Sequence, residues 1–126
     1  KSAVIRQLGS PGVVTTYGRP PYGAYNSTVR EAYAAVGMRI WTWTFDTRDW
    51  EGKTTDQVVD VVVGVAGADP AMPGAQAGDT VLMHMKWNAF NPDALARITD
   101  GLEGRGLTVC RNQDAPAPVA PDTLAC

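Results

Sequence analysis

Short β-branched and apolar runs alternate along this chain with segments that carry helix start and stop signals, and that alternation restricts the fold more than any other feature. Val13 to Tyr17 reads as a strand, and Asn26 or Ser27 caps a helix running to about Val36, where Gly37 stops it. Met38 to Phe45, rich in Ile, Trp and Thr, reads as a second strand. Thr54 with Gln57 forms a capping box for a valine-rich helix to about Ala66. After a Gly/Ala/Pro loop, Thr80 to Met85 reads as a third strand. Asn91 followed by Pro92 opens a helix that closes near Gly104, and Leu107 to Arg111 reads as a last short strand. Ahead of all these, Lys1 to Leu8 reads as the end of a helix with no cap before it. Strands and helices in this order call for parallel strands joined by helical crossovers, an α/β domain over residues 1–112. Pro116, Pro118 and Pro121 make residues 113–126 an irregular tail.

Composition removes several classes of partner. Eleven Lys+Arg against thirteen Asp+Glu, a formal net charge of -2, leave no basic excess for nucleic acid or an anionic membrane surface. No run approaches the ~20 apolar residues of a membrane-spanning helix. Cys110 and Cys126 lie 16 positions apart in the Pro- and Ala-rich end, an even pair suited to a disulfide that pins the tail. A loop of that size is worth roughly 3 kcal/mol by the chain-entropy estimate. Such a bridge implies an oxidising compartment, so a secreted protein is expected. The first residues do not read as a signal peptide, so a mature or trimmed chain is expected.

Three clusters follow strands, each in the loop towards the next helix, which is where parallel α/β barrels place their chemistry. In the first, Arg19 precedes Pro20-Pro21-Tyr22-Gly23. A guanidinium on so rigid a turn is suited to gripping a carboxylate in a bidentate fork, although a solvated arginine on a surface turn has the same sequence. The second is Asp46, Asp49 and Trp50, where an indole beside a carboxylate excludes water from it. Solvated aspartates approaching a helix are the plainer interpretation of that loop. The third is His84, the one histidine, in the run Val81-Leu82-Met83-His84-Met85. It is the natural proton donor and acceptor near neutral pH. In isolation, a strand histidine is more often a hydrogen-bonded core residue than a catalyst. Trp41, Trp43, Trp50, Trp87, Tyr22 and Tyr25 offer faces for stacking on sugars, with at least one of Trp41 and Trp43 expected in the core.

Taken together and in this order, Arg-Pro-Pro-Tyr-Gly, Asp-x-x-Asp-Trp and Leu-x-His resemble the third, fourth and fifth motifs of the polysaccharide deacetylases, the NodB-homology group of carbohydrate esterase family four. The resemblance spans about Gly9 to Val109. It implies the C-terminal part of a distorted (β/α) barrel of the glycoside hydrolase/deacetylase type, acting on chitin, peptidoglycan glycans or acetylated xylan. It also implies roles. His84 would be the general acid that protonates the leaving amine or alkoxide, and Asp49 would hydrogen-bond it, orient it and favour its protonated form. Arg19 would orient a catalytic aspartate that this chain does not contain. The backbone N–H of Tyr22 would bind the oxyanion of the tetrahedral intermediate, and Trp50 and Leu82 would wall the pocket for the acetyl methyl.

The departures are as informative. The family's Thr-Phe-Asp-Asp-Gly motif, with the base and a metal-binding aspartate, and its His-x-x-x-His metal pair are both absent. One histidine cannot build that site, so the divalent metal the resemblance implies (zinc first, cobalt or nickel otherwise) would be bound by residues outside this chain. The chain alone is therefore expected to be catalytically silent, with exposed strand edges and an N-terminal half of the same domain as its partner. Thr44 and Met85 stand where many relatives have aspartates, which puts the substrate class in doubt more than the mechanism. A contrasting expectation is an inactive deacetylase-like module that holds a glycan through Trp50, Trp87 and Tyr22.

Overall fold

A computed structural model describes residues 16–68, 71–86 and 90–110. The chain divides into two compact units, Lys1–Thr42 and Trp43–Cys126. Each unit contains one parallel strand pair with a helix between its strands, which is the α/β alternation expected. The expected opening helix, the Pro-rich tail, Cys126 and Trp87 lie outside the described residues.

In the first unit, β1 (Tyr17–Gly18) pairs in parallel with β2 (Arg39–Ile40) across helix α1 (Ser27–Ala35). The expected strand from Val13 overlaps β1 only at Tyr17 among the described residues. Asn26 caps α1 by accepting a hydrogen bond from the Val29 amide at 3.0 Å, as its side chain predicts. Just past β2, Trp41 meets Tyr17 edge-on, with centroids 4.8 Å apart. Tyr17 and Trp41 thus extend across the ends of the same short ladder.

In the second unit, β3 (Phe45–Asp46) pairs in parallel with β4 (Val81–Leu82), with helix α2 (Thr55–Val63) between them and α3 (Pro92–Gly104) after. The capping box at the start of α2 is complete: the Gln57 amide donates to Thr54 Oγ1 at 3.2 Å and the Thr54 amide to Gln57 Oε1 at 2.9 Å. Such a pair of caps stabilises a helix by about 1 kcal/mol. Val58, Val59 and Val62 of α2 pack with Ile98 and Leu102 of α3 and with Ala75. Phe45, Val81 and Met83 lie against this cluster from the strand side. Burying each such aliphatic side chain is worth roughly 1.5–3 kcal/mol. Since Val81 and Met83 are committed to the helices, period-two alternation sends Leu82 to the opposite face of the strand. No helix among the described residues is long and apolar enough to cross a membrane.

Four expected boundaries are corrected. The single strand from Met38 to Phe45 is two strands in different units, with 41–44 outside any ladder. Around Thr44 a side chain replaces the ladder. Its hydroxyl donates to Asp79 Oδ1 at 2.7 Å and accepts from the Thr80 amide at 2.9 Å, and the Thr44 and Phe45 amides share the Thr80 carbonyl. Helix α2 ends at Val63 rather than Ala66, because the chain turns at Gly64 and Val65 bridges back to Met72. The strand expected to Met85 stops at Leu82, where the amide of His84 turns to a carboxylate instead of a neighbouring strand. Leu107 to Cys110 forms no strand. Instead, Leu107 closes α3: its amide bonds the Leu102 carbonyl at 3.0 Å and the Gly106 amide bonds that of Glu103 at 2.8 Å, a Schellman closure that places Leu107 against the core.

Candidate functional site

The loop after β3 is built to hold one carboxylate in a fixed place. Asp46 Oδ1 accepts from the Arg48 amide at 2.9 Å, and Arg48 adopts a left-handed conformation (φ 51, ψ 36). Asp49–Glu51 then forms a single 3-10 turn, which Gly52 ends at φ 86. Around the outside, Glu51 pairs with Arg48 at 3.3 Å and with Lys53 at 3.2 Å, and Lys53 Nζ also donates to the Arg48 carbonyl at 3.1 Å. Exposed pairs of this kind contribute little individually, but here they close a short loop on itself. The result is that Asp49 is 0% exposed while its neighbour Trp50 is 47% exposed.

Both carboxylate oxygens of Asp49 are used by one residue. Oδ1 lies 2.7 Å from His84 Nδ1, and Oδ2 accepts from the His84 backbone amide at 2.8 Å. These are short, charge-assisted distances. Contact through both the main chain and the ring fixes the imidazole in position and in rotation. With Nδ1 turned to the carboxylate, Nε2 is the nitrogen left to exchange protons. The His84 side chain is 34% exposed and the Asp49 side chain 0%, so a buried carboxylate lies against a ring that reaches solvent. This arrangement can store a proton on Nε2 and release it to a basic atom formed above it.

Thr47 was not singled out by sequence reasoning. It is 1% exposed, and its hydroxyl donates to the Leu82 carbonyl at 2.8 Å. It also accepts from the Asp49 amide at 3.4 Å. A threonine two residues before an aspartate is the local signal for such a turn, and it was available in the sequence. Leu82 is buried, and its carbonyl anchors Thr47. Met85, directly after His84, is exposed.

Arg19 and Tyr22 belong to the first unit. Arg19 is exposed at the end of β1, next to a buried Pro20. Tyr22 is fully exposed and left-handed (φ 58, ψ 11), followed by Gly23 at φ 67. A non-glycine residue held there costs on the order of 1 kcal/mol or more, and successive amides in such turns line anion-binding concavities. Among the described residues no three His, Cys, Asp or Glu side chains gather as a metal would require. With the one histidine already bound to Asp49, the donor set among the described residues does not fit a divalent transition metal.

Known proteins similar to this chain share one chemistry. A bifunctional xylanase/xylan deacetylase of Cellvibrio japonicus is 33% identical over 103 residues, which cover 82% of this chain and 14% of that protein. A chitooligosaccharide deacetylase of Azorhizobium caulinodans is 29% identical over 91 residues, covering 72% of this chain and 37% of the relative. The chain thus spans well under half the length of these relatives. Among solved structures, a family 4 carbohydrate esterase from Streptomyces lividans, in complex with acetate, superposes with a TM-score of 0.67 at 27% identity. That match covers 98% of this chain and 55% of the esterase. No protein-family model matches the chain. Its sequence relatives and the solved esterase it superposes on agree: this chain belongs to the polysaccharide deacetylases of carbohydrate esterase family four.

Proposed function

We propose that this chain supplies the proton donor and part of the acetyl pocket of a metal-dependent deacetylase acting on an acetylated polysaccharide. The observation that carries this reading is the two-point contact of buried Asp49 with His84. In acetyl hydrolysis, attack on the carbonyl carbon gives a tetrahedral intermediate, whose collapse breaks the bond to the sugar oxygen or nitrogen. The leaving alkoxide or amine takes a proton, and His84 Nε2 delivers it. Asp49 offsets the charge of the imidazolium before that transfer. In this reading Trp50 and Leu82 wall the acetyl pocket, and the main-chain N–H of Tyr22 is the donor to the oxyanion. The frame we propose is the C-terminal part of a distorted (β/α) barrel of the deacetylase type.

The base, which Arg19 orients, and the metal ligands come from an N-terminal half of the same domain, outside these 126 residues. The metal would be zinc, or else cobalt or nickel, held by that other half and acting as a Lewis acid towards the acetyl carbonyl. The substrates named for relatives, xylan and chitooligosaccharide, set the class; the glycan itself depends on subsites of that other half.

Acetate release from acetylated xylan, chitooligosaccharide and peptidoglycan tests the reading. The chain alone is expected to release none, the chain mixed with a companion bearing the histidine pair to release acetate, and a chelator to abolish it. Release by this chain alone in chelator would refute the division of labour. Glycan binding without acetate release in the mixture would favour a binding module, for which the exposed Trp50 and Tyr22 are the supporting observations. We also propose a secreted location with Cys110 bridged to Cys126. Thiol titration of the unfolded, unreduced chain is expected to find no free cysteine, and two free thiols would remove that argument.

A further inference from the structure

We propose that Thr47 is the positioning residue of this site, its buried hydroxyl setting where Asp49 stands beneath His84. The proposal rests on His84 being the proton donor and adds a residue to that account. The Thr47 hydroxyl makes two bonds with opposite polarity. It donates to the carbonyl of Leu82, two residues before His84, at 2.8 Å, and it accepts from the amide of Asp49 at 3.4 Å. One oxygen therefore touches both chain segments that carry the proton relay. The links form a closed circuit: Thr47 to Leu82, along the chain to His84, across to Asp49 through two bonds, and back to Thr47.

The ladder beside this circuit is only two residues long, and the Thr47 amide reaches Leu82 O at a long 3.4 Å. The hydroxyl bond is the shorter link past the end of that ladder. It is 1% exposed, so water cannot take its place without opening the loop. Proton relays tolerate misplacement of only about 0.5 Å, which makes the fixing of the carboxylate a requirement of function as well as of folding. Valine matches threonine in shape but can neither donate nor accept here, whereas serine keeps both bonds.

The single histidine makes the test direct, because the imidazole 1H–15N spectrum of the chain contains one residue. In the unaltered chain a protected Nδ1 proton is expected. Thr47→Ser should leave its shift and exchange rate unchanged. Thr47→Val should speed its exchange roughly tenfold, the loss expected for one hydrogen bond, and move the ring nitrogens towards values for a solvated imidazole. A folded Thr47→Val chain with an unaltered histidine spectrum overturns the proposal. Should that variant not fold, the hydroxyl proton of Thr47 in the unaltered chain decides: slow exchange supports the anchor, and exchange at the rate of free threonine refutes it. Asp49→Asn separates two kinds of failure. If it leaves the histidine spectrum unchanged, the Asp49–His84 relay itself is wrong. If it shifts the spectrum and Thr47→Val does not, only the role of Thr47 falls. Neither result depends on the acetate assay, which tests the deacetylase reading separately.

Discussion

Replacing His84 with alanine is expected to lower the rate of acetate release by the reconstituted enzyme at least a hundredfold, with the loss in kcat rather than KM. General acids contribute about a hundredfold to ten-thousandfold, and a hundredfold corresponds to roughly 2.7 kcal/mol of barrier. The loss should fall on kcat because the proton is needed only when the tetrahedral intermediate collapses, not when the glycan binds. The fold should survive, since the bond that locates Asp49 from the main chain, His84 N to Oδ2 at 2.8 Å, does not involve the ring. Asp49→Asn should also lose activity, and the double variant should be little worse than His84→Ala, because the two act as one unit. Comparing kcat and KM of the three variants checks this. Additive losses, or a His84→Ala enzyme within a few fold of the original, would remove His84 from the acid role.

The second large effect concerns stability. Gly64→Ala is expected to destabilise the second unit by about 3 kcal/mol or more, on a total of roughly 5–15 kcal/mol for a whole domain. Gly64 has φ 87 and ψ 153, a region essentially closed to residues with a side chain. A Cβ there would also lie 2.8 Å from the Met72 carbonyl oxygen and from the Pro73 carbonyl, backbone atoms that cannot swing aside. Those atoms lie next to the Val65–Met72 bridge, and the Ala75 amide bonds the Val62 carbonyl at 2.8 Å, so any shift would be passed to the α2 side of the core. Gly67 is the comparison position: its φ is also positive, at +73, but an added Cβ would meet nothing within 4 Å. Thermal melting should show Gly64→Ala lowered by on the order of 10–20 °C and Gly67→Ala by only a few degrees. Equal shifts would mean that backbone conformation alone, without the close approach, sets the cost.

Helix starts were legible in the sequence and strand ends were not, for a physical reason. Asn26, Thr54 with Gln57, and Asn91 with Pro92 each cap through atoms within three residues, so the chemistry is written locally. Strand length depends on what lies opposite. The β-branched run from Met38 to Phe45 has the propensity for a single strand, yet its ladder is broken by an Asp79 and a Thr80 more than thirty residues away. The run from Leu107 was misread similarly, since the β-favouring Thr108 and Val109 say nothing of the Schellman closure that Leu107 completes. At the site, Asp49 and His84 were legible as members of an ordered set of motifs, and the structure brings them together. For Thr47 only the local turn to Asp49 was written in the sequence; its bond to the Leu82 carbonyl, 35 residues away, shows only in the fold.

Thr44 Oγ1 to Asp79, Thr47 to Leu82 and Asp49 to His84 each join positions 35 apart along the chain. They act as three alignment pins at one constant offset. Two-residue strands have too few main-chain rungs to dictate their own stagger, so the pins do it, and a slip by one residue would break all three together. The atoms that keep these segments in step include those of the proton relay. A sequence change that let one segment slide would therefore disable the chemistry and the alignment in a single event, leaving no intermediate in which a well-folded sheet carries a disordered relay.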